Sequence, residues 1–144
     1  MNHKKYWLSA ATVFIIARTL VAFLFFGLIF DSVYDQPING MREEGKELFG
    51  PAFIVTFLWS LAFVYIFIRG FQNKGLAEGF RFGMLTWLFY FVPMIVCYWS
   101  YFELPTDWLM ASLTSGLVES LTAGLLVAFI YKGRKKNEVI ATSK

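Results

Sequence analysis

Four long apolar runs fill most of the chain, at about residues 7–30, 50–68, 80–101 and 106–131, each closed off by a polar or charged stretch. About 20 apolar residues suffice to carry a helix across ~30 Å of hydrocarbon at 1.5 Å per residue. Each run is therefore expected to be a membrane helix. Pro51 suits the first turn of the second helix, where its missing N–H costs nothing, and Pro105 stands just before the fourth. No strand is predicted. The expected fold is an all-α membrane protein: one domain over residues 1–144, a four-transmembrane-helix antiparallel bundle. Residues 31–48 form an acidic outer loop, and residues 132–144 a basic cytoplasmic tail. The first run is expected to stay in the protein. Its length exceeds the 7–15 residues usual in the core of a signal peptide, Arg18 interrupts it, and no small-residue cleavage site follows.

Charge adds a direction. Of the thirteen Lys and Arg residues, ten fall on one side of the four-span arrangement, including Lys4, Lys5, Arg69, Lys74, Arg81 and the tail "YKGRKKNE". Only Arg42 and Lys46 fall on the other, and Arg18 lies within a span. Cytoplasmic loops carry such an excess, so both termini are expected on the cytoplasmic side. The acids Asp31, Asp35, Glu43, Glu44, Glu47, Glu103 and Asp107 lie on the outer side. The net charge of +3 is thus explained by topology and does not point to nucleic acid. Tyr6, Trp7, Tyr98, Trp99, Tyr101, Trp108 and Tyr131 mark span ends, where amphipathic rings favour the headgroup level. Trp59 is the exception, near the centre of the second span. The stretch "MREEGKELF" could form a short surface helix within a solvated loop.

Inside the spans, small residues recur every four positions. Gly75, Gly79 and Gly83 form one stripe; Ser112, Gly116, Ser120 and Gly124 form another. Such stripes let membrane helices approach closely, within one bundle or between subunits. Both lie in segments that echo each other at an offset of 41 residues, "GLAEGFRFGML" and "GLVESLTAGLL". A duplicated hairpin would leave such a trace, but Glu78 belongs at a span end and Glu119 at mid-span. Pro93 is expected to kink the third helix and free a carbonyl near Phe89.

Two ionisable residues lie deep in the spans, Arg18 in the first and Glu119 in the fourth. At 100° per residue, Ser112, Ser115, Gly116 and Ala123 lie within about 60° of Glu119, while Leu113, Leu117, Leu121 and Leu125 occupy the far side. Ala11 and Ala22 share the face of Arg18. A membrane carboxyl belongs on such a protein-facing side, and opposite charges at matched depth relieve each other. Three readings follow. Arg18 and Glu119 form an ion pair that fixes helix register; or they line a polar cavity with Ser115 and Trp59 nearby; or Glu119 is protonated at an oligomer interface. Thr12, Thr19, Thr56, Ser60, Thr86, Thr114, Ser115 and Thr122 could add hydroxyls to a cavity or bond their own helices.

Composition removes other chemistry. The single Cys97 allows no internal disulfide and reads as a packing residue. The single His3 lies in the N-terminal segment, so no metal site, cofactor or Ser–His catalytic set is expected. The hydrophobic fraction of 58% exceeds the 45–50% usual for soluble domains, so the partner surface is expected to be the lipid bilayer.

The stretches "YIFIRGFQNKGLAEGFRFGML" and "GLVESLTAGLLVAFIYK" resemble the inner loop and last helix of a loose family of small uncharacterised bacterial four-helix integral membrane proteins. The resemblance implies that architecture and a bacterial cytoplasmic (inner) membrane, and no enzymatic role. The expected function is a noncatalytic, multi-pass bundle that binds or passes a small polar or lipidic ligand, as a homo-oligomer. The alternatives are an accessory or assembly subunit of a membrane complex, and an enzyme that uses Glu119 on a lipophilic substrate.

Overall fold

A computed structural model describes residues 3–34, 48–72 and 74–131. Every regular element among them is helical. Four helices are long and apolar enough to cross a membrane: α1 (Tyr6–Ile29), α2 (Phe49–Gly70), α3 (Leu76–Tyr101) and α4 (Thr106–Tyr131). A single turn, Asp31–Tyr34, follows α1 and touches α4. The expected loop beyond Tyr34, including most of "MREEGKELF", and the basic tail from Lys132 lie outside the described residues.

Two of the four helices depart from regularity, over three stretches. In α1 the backbone is π-helical over Val13–Val21 and again over Phe25–Ile29. Thr19 Oγ1 accordingly donates to the carbonyl of Phe14, five residues back, at 2.9 Å. In α3 a π segment, Trp87–Phe91, precedes Pro93, with the Val92 N–H donating to the Trp87 carbonyl. Pro93 has no N–H to give, and the widened turn sits where the hydrogen-bond ladder must skip it. α3 also begins earlier than the apolar run suggests. Leu76 opens it after Gly75 (φ 77°), and the Glu78 carboxylate in its first turn accepts backbone N–H bonds from Gln72 and Lys74. Glu78 is therefore a local loop clamp, unlike the mid-helix Glu119, and the two echo segments are not placed equivalently.

α4 is the most enclosed helix, with 44% of its apolar window buried against 11–22% for the others. It contacts α1 and α3 along its length and α2 more sparsely. The α3–α4 contact is made backbone to backbone. Gly79 lies against Gly124, and a Cβ on Gly83 would sit 2.6 Å from the Ser120 carbonyl oxygen. Gly116 does not share that contact and faces the Phe91 ring instead. Gly75 departs from the expected stripe, for nothing lies within 4 Å of its would-be Cβ and its left-handed φ is what the turn into α3 requires.

The buried apolar core gathers Val13 and Ala17 of α1, Val64 and Phe67 of α2, and Val127 and Tyr131 of α4. α2 and α3 meet mainly through rings: Trp59 against Tyr90 and Phe91, and Phe63 and Phe67 against Phe82. Most other large apolar side chains, such as Phe23, Phe53, Leu85 and Phe129, are exposed. Apolar surface distributed around all four helices suits hydrocarbon and would aggregate in water. Cys97 belongs to this exposed surface and does not pack in the core.

Candidate functional site

The Arg18 guanidinium donates from Nη1 to Oε1 of Glu119, joining α1 to α4. Glu119 is buried, whereas the Arg18 side chain keeps 20% of its surface accessible. Two rings flank the guanidinium, Trp59 with its centroid 4.9 Å from Cζ and Phe91 at 5.8 Å. A cation over an aromatic face is stabilised electrostatically, more so where water is scarce. Trp59 thus supports Arg18 from one side. It also stacks on Phe63, at 4.9 Å between centroids.

The other side of the pair is open. A cavity of about 440 Å³ runs from Arg18 and Glu119 toward the α3–α4 turn. Its walls are mostly apolar, among them Phe26 of α1, Met94 and Tyr98 of α3, and Trp108 of α4. Ser112, Ser115 and Gly116 line it on α4, and Trp59 does not line it. Gly116 makes room here: a side chain at that position would begin 2.7 Å from the Phe91 ring, itself part of the wall. Trp87 fixes the same region by donating from Nε1 to the Leu113 carbonyl at 2.9 Å.

All eight candidate hydroxyls, Thr19 included, turn back on their own helices. Thr12, Thr56, Thr86, Thr114 and Thr122 each donate to the carbonyl four residues earlier. Ser60 donates to Thr56, and Ser115 to Ser112. In a medium without water this is the default for a membrane hydroxyl. The polar chemistry of the cavity is therefore concentrated in one place, the Arg18–Glu119 pair, with the two serines beside it. The guanidinium carries five N–H donors. Glu119 engages Nη1, and Nε has no partner among the described residues.

The sequence pointed to Arg18 and Glu119 by depth and to Ser112, Ser115 and Gly116 by helical face. It did not point to Phe91 or Met94, which look like ordinary lipid-facing residues of an aromatic-rich span, and it marked Tyr98 only as a ring at the span end. Among the described residues no group of three His, Cys, Asp or Glu side chains could hold a metal ion. Comparisons with protein families, curated proteins and solved structures find no match.

Proposed function

We propose that this chain is a multi-pass integral membrane bundle that binds a small lipid-soluble molecule in the cavity beside Arg18 and Glu119. The observation that carries this reading is the cavity itself. It has the size of a small-molecule site, apolar walls and one convergent polar group, the combination found in ligand pockets. Arg18 and Glu119 cancel each other's charge, which favours a neutral molecule over an ion. The Arg18 side chain, which keeps part of its surface accessible beside the cavity, favours one with a hydrogen-bond acceptor at its buried end. The antiparallel order is supported by the α3–α4 contacts, where Gly79 meets Gly124 and Gly83 meets Ser120. The Lys/Arg asymmetry supports a cytoplasmic location for both termini, and the family resemblance suggests a bacterial inner membrane. In that orientation the cavity lies in the outer half of the bilayer.

The test is binding of N-phenyl-1-naphthylamine, a neutral apolar fluorophore, to the purified protein in detergent. Saturable enhancement is expected for the wild type, and a weakening of tenfold or more for Met94→Trp, which fills the cavity from an accessible wall position. Non-saturable partitioning, or equal binding by the filled variant, would rule the site out.

A further inference from the structure

A second concavity, of about 360 Å³, opens between the end of α2 and the start of α3. It is separate from the cavity beside Arg18 and shares no lining residue with it. Its apolar walls are Ile66 and Phe67 of α2 and Ala77, Phe82 and Leu85 of α3. The groove exists because the two helices touch here through the rings of Phe63, Phe67 and Phe82 while their backbones stand apart. Its mouth is charged and carries Lys74 and Arg81.

The one acid at the mouth is already committed. Glu78 accepts the N–H groups of Gln72 and Lys74, so its carboxylate is turned into the connecting loop. No carboxylate among the described residues pairs with Lys74 or Arg81. The neighbouring Arg69 differs. It donates to the Tyr65 hydroxyl at 2.7 Å, lies over that ring, and does not line the groove.

Cations at the end of the spans, with an apolar trough running from them along two helices, match one occupant in charge and shape. We propose that this groove binds an anionic phospholipid, with its phosphate between Lys74 and Arg81 and an acyl chain laid between α2 and α3. The basic mouth supplies the headgroup selectivity, and the trough between Phe67, Phe82 and Leu85 holds the chain. Basic residues near the membrane surface attract anionic lipid by about fivefold each.

The experiment is native mass spectrometry of the full chain released from micelles holding equal amounts of phosphatidylglycerol and phosphatidylcholine with identical acyl chains. One retained phosphatidylglycerol is expected, in clear excess over phosphatidylcholine. Lys74→Gln with Arg81→Gln should reduce that preference by about 25-fold. Arg69→Gln should leave it unchanged, which separates a site from a diffuse charge effect. Ala77→Phe, at an exposed position, keeps both cations and blocks the trough; it should lower lipid retention. All four substituted positions are exposed, so the variants keep the buried packing, and an unchanged circular dichroism spectrum checks this. Equal retention of the two lipids by the wild type would overturn the proposal. So would an unchanged preference in the double variant, or displacement of the lipid by soluble glycerol phosphate at equal concentration, which would mean the trough contributes nothing.

Discussion

Arg18 shows what a single residue can impose on a membrane protein. A guanidinium in the middle of an apolar helix is too deep to reach a membrane interface easily and is costly without a partner. The chain supplies a carboxylate on one side and two aromatic rings around it. Removing one partner of a buried pair leaves the other uncompensated, at a cost of about 3–5 kcal/mol in a dry interior. Arg18→Gln and Glu119→Gln should each destabilise the protein, and Arg18→Gln with Glu119→Gln should lose less than the sum of the two. A double-mutant cycle of unfolding in detergent checks this, with a coupling of about 0.5–3 kcal/mol expected and strict additivity excluding an energetically coupled pair. Both residues were legible in the sequence, because a charge in an apolar run announces itself. The surroundings were legible only in part. Trp59 stood out as a ring at mid-span, whereas Phe91 beside the guanidinium comes from a helix whose rotation and approach depend on tertiary packing.

At the scale of helices, the four spans were legible to within a few residues because length and apolarity set them directly. The π-helical stretches were not. Val13–Val21 contains no proline or glycine to mark it, and only Pro93 hinted at an irregularity in α3. A small-residue stripe likewise announces a close contact without naming its members. The stripe of α3 reduces to Gly79 and Gly83, because Gly75 serves the turn. At Gly83 an added side chain would meet backbone atoms, which cannot rotate away. Gly83→Leu should therefore force α3 and α4 apart and cost about 1–3 kcal/mol, the usual range for overpacking. Gly50→Leu, where nothing lies within 4 Å, should be close to neutral. Comparison of the two melting temperatures in the same detergent decides it. Equal losses would mean that the α3–α4 contact is loose.

For the molecule as a whole, the charge asymmetry makes orientation the most direct expectation to check. Reporter fusions at Lys144 and within residues 39–44 should report opposite sides of the membrane. The same side for both would remove the four-span arrangement and, with it, the assignment of the cavity to the outer half of the bilayer. Within the described residues the packing is uneven. The buried core of Val13, Val64 and Tyr131 lies in the half near the α2–α3 connection, which also carries the groove between α2 and α3, while the half near the α3–α4 turn holds the cavity beside Arg18. The scarcity of backbone contact between α2 and α3 has a further consequence. α4 packs most closely against α3 and next against α1, while α2 packs mainly against α1. α2 and α3 thus share ring contacts but little backbone contact, and the pair α1–α2 meets the pair α3–α4 chiefly through α1 against α4. Division between α2 and α3 is an expected outcome: α1–α2 and α3–α4 made as two separate chains should reassemble, and their co-purification in detergent checks this.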